Sequence, residues 1–360
     1  MDVYEKLRRI LDAHPTGAPP STAFDRILRI LFSPEEAGLA THMNFAPKAV
    51  DAIASAAGLS PSQAETMLEN MAGKATIFSR EKDGRKYYGL LPTIPGLFEF
   101  PLMKGRITPV HDELAGLWNA YHDEGLGASF AGKPTPVARV VPVEQALDGS
   151  ARVHPYEEVA KLIDEVDFIA LAQCACRVSV RACDAPTETC LFFDAPARFL
   201  AERGYAREIT REEAREVLDR AETAGLVHTS GNSADRAAFI CNCCPCCCTI
   251  LTCQTKLGVP HGFATSGFQA RVDGEACTGC GICADDRCPM GAIEMVEDMA
   301  RVHEEVCIGC GLCVTGCPAD AMVLERRTAV PEVPATVKDM AVRVLKEKGK
   351  LKDFMEVMKK

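Results

Sequence analysis

Nineteen cysteines, all of them between Cys174 and Cys317, constrain this chain more than any other feature. The first 173 residues carry none. A buried thiol serves packing only as a small hydrophobe, so packing gives no reason for six cysteines in the eight residues "CNCCPCCC", Cys241 to Cys248. At 360 residues the chain is long enough for two or three domains with ordinary cores, which excludes a disulfide-stapled miniprotein. The interleaved charges of "MDVYEKLRRILDAH" leave no signal-peptide core, and no apolar run reaches the ~18 residues of a membrane span. The expected location is cytoplasmic, where stable disulfides are rare, so the thiols point to metal or redox chemistry. A net charge of -10 argues against a protein built mainly to grip nucleic acid.

Near the C-terminus the thiols are ordered. "CTGCGICADDRCPMGAIEM" and "CIGCGLCVTGCPADAMVL" form an internal repeat offset by 30 residues at its first three cysteines. C-x2-C-x2-C lets one loop carry three thiolates to three irons of a cubane, while the cysteine before proline serves the neighbouring cluster. Zinc also suits four closely spaced cysteines, but it has no use for a C-P handed to the other half. Over roughly residues 270 to 326 the chain resembles the bacterial two-cluster ferredoxin. The resemblance implies one [4Fe-4S] cluster on Cys277, Cys280, Cys283 and Cys317, and a second on Cys307, Cys310, Cys313 and Cys288. In the first half "ADDR" places four residues, not three, before Cys288, so the loop is expected to bulge there. Ile293 to Val306 is expected to be a hairpin whose Ile293, Met295, Val302 and Val306 cover the clusters. Gly279, Gly281, Gly309 and Gly311 should let backbone amides approach the sulfides.

Upstream, Cys174, Cys176, Cys183 and Cys190 join Cys241, Cys243, Cys244, Cys246, Cys247, Cys248 and Cys253, too many thiols for one cubane. Neighbouring side chains of an extended segment face opposite ways, so the run cannot all reach one small cluster unless Pro245 turns the chain. Some thiols must face a second site or none. Three readings stay open: at least one further [4Fe-4S] cluster drawing on Cys176, Cys183, Cys190 and the run; an unusual cluster with an open iron or reactive thiolate; or zinc or a structural thiol knot. Arg177 and Arg181 either offset the charge of such a cluster or lie in a solvated loop. Residues 154 to 326, with "CACR", "CNCCPCCC" and the repeat, resemble uncharacterised iron-sulfur proteins of strict anaerobes, and that similarity implies low-potential electron transfer.

The thiol-free half shows helical stripes at Phe24, Ile27, Leu28 and Leu31, at Val50, Ile53, Ala54 and Ala57, and at Ala64, Met67, Leu68 and Met71. Two strand-like runs about Asp83-Gly84 follow, and the series resembles a winged helix-turn-helix. Its expected recognition helix, Pro61 to Lys74, carries Glu65 and Glu69 against Lys74, the wrong sign for phosphate. "GASFAGKP" matches a phosphate loop up to a proline that replaces the hydroxyl residue, without a preceding strand, so nucleotide is not expected there. A helix is expected over "PYEEVAKLIDEV", a strand over "FIALAQ" and a capped helix from Thr210 to Gly225. "LVHTS" and "AAFI" should pair as a hairpin, with His228 a satisfied strand histidine.

The fold class expected is α+β multidomain: winged-helix-like 1–95, connector 96–153, cysteine-rich 154–268, dicluster ferredoxin-like 269–328 and a basic helical tail 329–360. The function expected is low-potential transfer of electrons to redox partner proteins by two [4Fe-4S] clusters and at least one more, with no catalytic residue singled out. Its rivals are a redox-responsive DNA-binding regulator and a reductase working through an open-site cluster in 241–248.

Overall fold

Local signals set the helices of the first ninety residues. A computed structural model describes residues 1–147, 154, 157–330 and 332–360. Pro155 and Tyr156, which open one expected helix, and Pro331, within the expected tail, lie outside the described residues. Ser21 caps the helix Thr22–Leu31, and Ser60 with Gln63 closes a capping box at Pro61–Gly73. Between them lie the helices Pro34–Ala40 and Val50–Ala57. The two-residue strand Lys48–Ala49 pairs with Arg85–Leu90, which pairs in turn with Ile77–Lys82 across the Asp83-Gly84 turn. Phe24, Ile27, Leu28, Leu68 and Met71 are buried in one apolar cluster with Trp118 and Tyr121 of the helix Pro109–Tyr121. The Phe24 and Tyr121 rings stack at 4.5 Å.

The middle of the chain forms a six-stranded antiparallel sheet, ordered in space as Ala138–Val140, Val227–Gly231, Phe239–Cys243, Glu188–Phe193, Ile169–Gln173 and Arg207–Ile209. The outermost strand Ala138–Val140 comes from the stretch between the N-terminal helices and the cysteines, so that stretch is more than a connector. The helix Arg211–Thr223 has its Thr210–Glu213 capping box and buries Ala214, Val217, Leu218 and Ala221. His228 is buried and its Nδ1 meets Asn242 Oδ1 across the hairpin, a satisfied strand histidine.

At the C-terminal end two short hairpin-like sheets frame the repeat. Phe268–Val272 pairs with Met322–Arg326, and Ile293–Val296 with Met299–Val302. The fold is therefore mixed helix and sheet, closed by the helices Val337–Glu347 and Leu351–Met358. These return to the N-terminal helices: Phe354 stacks on Phe45, and Lys350 Nζ sits 2.7 Å from Asp12. No helix among the described residues is long and apolar enough to cross a membrane.

Candidate metal centres

All nineteen cysteines are free, and the fold sorts eighteen of them into four sets. The first two sets are built by the repeat. Cys277, Cys280, Cys283 and Cys317 line one cavity together with Met295, Ala300 and Met322. Cys288, Cys307, Cys310 and Cys313 line another with Ile293, Ala292 and Leu324. Each cavity thus takes three thiols from one half of the repeat and the cysteine before proline from the other. The chain reaches this arrangement through left-handed glycines. Gly309 has φ +69°, and a Cβ there would stand 2.1 Å from the Phe268 carbonyl oxygen. The extra residue of "ADDR" is absorbed by a wide turn over Cys283–Arg287, whose Arg287 Nε donates to the Leu312 carbonyl at 2.9 Å.

Amides already aim at these sulfurs. Ala292 N donates to Cys288 Sγ at 3.1 Å and Ala270 N to Cys307 Sγ at 3.4 Å. The amides of Ala300 and Gly279 hold the Cys277 thiol below its ordinary value. Burial pushes Cys310 up to about 12 and raises Cys313 and Cys283 as well. A thiol so buried becomes a thiolate only against a compensating cation, and irons supply it.

The third set is a closed ring of six. Cys241 and Cys243 lie two apart on one strand and share a face; Cys190 lies on the neighbouring strand, and Cys174 follows the next one. Cys176 opens the short helix Ala175–Val180, and Cys248 follows the turn at Pro245. Sulfur contacts run Cys174, Cys176, Cys248, Cys243, Cys241, Cys190 and back to Cys174. The thiols of Cys176 and Cys190 hold Cys174 well below its ordinary value, and those of Cys241 and Cys248 bring Cys243 down to about 6. These two low positions stand opposite each other in the ring.

Cys183 does not join that ring, contrary to its expected grouping with Cys176 and Cys190. The helix Ala175–Val180 ends on Arg181 in the left-handed region, φ 55°, and the chain leaves in another direction. Cys183 instead meets Cys244, Cys246 and Cys247, the fourth set, whose sulfurs all lie within 4.8 Å of one another. Cys243 and Cys244 therefore face opposite sites, as alternation at the end of the strand requires, and the turn at Pro245 sends Cys246 and Cys247 to the quartet and Cys248 to the ring. Cys253 stands outside all four sets, buried beside His122 with its sulfur 3.2 Å from the Thr249 carbonyl.

Between ring and quartet lies Arg177, 2% exposed. Its guanidinium donates to the carbonyls of Pro186 at 2.9 Å and Asn242 at 2.8 Å, to Thr189 Oγ1, and to Cys244 Sγ at 3.9 Å. These partners include no carboxylate. A buried guanidinium needs a counter-charge, and the charges acting on this one are those of Cys174, Cys190 and Cys244. Arg181, by contrast, is exposed. Glu99, which no sequence motif marks, has a half-buried carboxyl raised to about 7 by burial, with Cys174 adding to the shift and the Gly96 amide opposing it. A cavity of 130 Å³ lined by Trp118, His122 and Lys256 reaches Cys246 and Cys247 but none of the ring thiols.

Residues 269–318 match the family model of the 4Fe-4S dicluster domain, the segment that contains all eight cysteines of the repeat. No curated protein and no solved structure matches the chain. The C-terminal segment is a 4Fe-4S dicluster domain, and eight thiols in two sets of four are the donor set that two such clusters take.

Proposed function

We propose that the chain is a low-potential electron carrier of the cytoplasm, serving redox partner proteins through two ferredoxin-type [4Fe-4S] clusters and one further cluster held by the six-thiol ring. The observation that carries this reading is the crossed sharing of eight cysteines between two cavities. In it Cys277, Cys280, Cys283 and Cys317 hold one cluster and Cys307, Cys310, Cys313 and Cys288 the other. Clusters of this kind exchange single electrons without rearranging their ligands. The chain's part is to bury the thiolates, aim amides at their sulfurs and keep water out.

For the ring, the support is its burial and its continuity with the dicluster domain. Cys243 and Cys248 pack in the same apolar cluster as Cys283, Cys307, Cys310 and Cys313. Val143 N, just beyond the sheet's edge strand, donates to the Cys310 carbonyl at 2.8 Å. An electron entering at the ring thus has a packed route to the dicluster, and from there to a partner. The chain's charge of -10, made more negative by thiolate-bound clusters, favours a partner with a basic face.

The N-terminal unit fits a docking role. Its three helices, short strand, two further helices and hairpin are compatible with a winged-helix reading, but Glu69 of the helix Pro61–Gly73 is paired with Arg203 at 2.8 Å and Lys86 at 3.1 Å. Arg203 also reaches Ser79 Oγ, and Tyr205 OH the Gly73 carbonyl. The helix that would read DNA is thereby pinned to the cysteine-rich region. Iron and sulfide counts with low-temperature electron paramagnetic resonance on anaerobically purified protein test the proposal. Iron above eight per chain is expected, falling to about eight in Cys174→Ser and Cys243→Ser with the dicluster signals kept. Iron-free wild type, or a count those two changes leave untouched, would refute it.

A further inference from the structure

We propose that Cys183, Cys244, Cys246 and Cys247 bind a single tetrahedral zinc ion, separate from every iron-sulfur cluster of the chain. The inference does not rest on the electron-transfer reading. It begins with spacing. A tetrahedron with metal-sulfur bonds of about 2.3 Å has edges of about 3.8 Å. Cys183 Sγ lies 3.8 Å from Cys244 Sγ and 3.9 Å from Cys247 Sγ, and Cys246 Sγ lies 3.7 Å from Cys247 Sγ. A cubane spreads its thiolates over four separate irons, so its sulfurs stand farther apart than these. The repeat supplies the internal comparison: among the described residues, the Cys183 quartet is the set that falls within 4.8 Å throughout, and the two dicluster quartets do not.

Local chemistry agrees with four thiolates on one ion. The amides of Ala185 and Ala182 donate to the sulfurs of Cys183 and Cys247. Binding releases four thiol protons to solvent and leaves a centre of net charge about -2, which the Arg177 guanidinium at Cys244 faces. With four sulfurs the coordination is closed, so the neighbouring cavity offers the ion no open position, and the site is structural. What it fastens is informative. Cys244 and Cys247 are each adjacent in sequence to a ring thiol, Cys243 and Cys248, and Cys183 follows the helix that carries Cys176. One ion therefore clamps together the two segments that bring Cys176 and Cys248 to the ring.

The test uses full-length protein purified without oxygen from cells supplied with both iron and zinc. About one zinc per chain is expected, with an X-ray absorption shell at the zinc edge of four sulfurs at about 2.3 Å. Cys183→Ser and Cys246→Ser should lose the zinc or convert its shell to three sulfurs, whereas Cys277→Ser in the dicluster domain should leave it intact. Zinc-free wild type, iron in place of zinc at this site, or a four-sulfur shell unchanged by Cys183→Ser would overturn the assignment. Should the variants fail to fold, the wild-type shell still decides, because fewer than four sulfurs would also overturn it.

Discussion

Arg177 is the residue on which the charge balance of the cysteine-rich region turns. Its partners are two carbonyls, a hydroxyl and sulfur, so the anion it neutralises is thiolate. Arg177→Met leaves the buried Asn242 carbonyl without this donor and the thiolates without a counter-charge, a loss of about 3 kcal/mol. Anaerobic denaturant unfolding followed by the single tryptophan, Trp118, reads that loss; a midpoint equal to wild type would contradict it. Removing a positive charge also makes reduction harder, so any cluster in the ring should titrate at a more negative potential, with Arg177→Lys restoring part of the shift. Gly309 is a second position of this kind. At φ +69° with the Phe268 carbonyl 2.1 Å from an added Cβ, Gly309→Ala forces the loop off Cys310, at a cost of at least about 1 kcal/mol. Iron content should fall in that variant and hold in Gly291→Ala, where φ is also positive but nothing crowds the Cβ. Part of this was legible in the sequence: the repeat carries the glycines, and the resemblance to the two-cluster ferredoxin implied the crossed cysteines that the two cavities bring together. The contrast between buried Arg177 and exposed Arg181 was not, because it depends on where a six-residue helix stops.

Among elements, the run Cys241 to Cys248 shows what periodicity can and cannot disclose. Alternation along an extended strand required two faces, and the strand Phe239–Cys243 with the turn at Pro245 provides them. Which thiols across the sheet meet each face depends on strand order and on the left-handed Arg181, neither of which is written locally. The same holds for the tail. The stripe Val337, Met340, Ala341 and Val344 marks the helix Val337–Glu347, but the docking of the next helix, Leu351–Met358, through Phe354 on Phe45 and Met358 on Asn44 has no local signal. Lys348, at the joint between the two tail helices, donates to the Pro15 carbonyl at 2.5 Å. Burial lowers it to about 8; Lys350 and Lys133 add to the shift, while Asp12 and Glu347 oppose it. The folded chain therefore binds fewer protons here than the unfolded chain between pH 8 and the ordinary lysine value of 10.5. Stability should rise with pH across that window, by about 1–2 kcal/mol after solvent screening. Lys348→Met removes the titrating group, so its unfolding free energy should be flatter over the same range. An unchanged slope would show that the joint is wetter than its packing suggests.

For the molecule as a whole, the metal content and the core are one question in one half and nearly separate questions in the other. The apolar cluster that holds the dicluster domain counts Cys283, Cys307, Cys310 and Cys313 among its buried members, beside Phe268, Ile293 and Leu324. Without metal these thiols are neutral side chains around cavities, and the short sheets that frame them have little other core to close on. The N-terminal helices instead pack Phe24, Ile27, Leu68 and Trp118 against one another, and the buried thiols of the same cluster, Cys174, Cys190 and Cys253, come from the cysteine-rich region rather than from these helices. Stripping the metals with a chelator under argon should therefore unfold the molecule unevenly. Hydrogen exchange should lose its protection first at Phe268–Val272 and Met322–Arg326, strands paired across the dicluster domain. The helices Thr22–Leu31 and Pro109–Tyr121 should keep theirs. Between these extremes stands the six-stranded sheet, whose strands Glu188–Phe193 and Phe239–Cys243 carry ring thiols at one end and apolar residues such as Leu191 and Ile240 along the rest. That sheet should fray from its cysteine end while its opposite end persists. Equal protection of the two dicluster strands with and without metal would mean that this half folds on its apolar residues alone, and the thiols would then be passengers of the fold rather than its closing element.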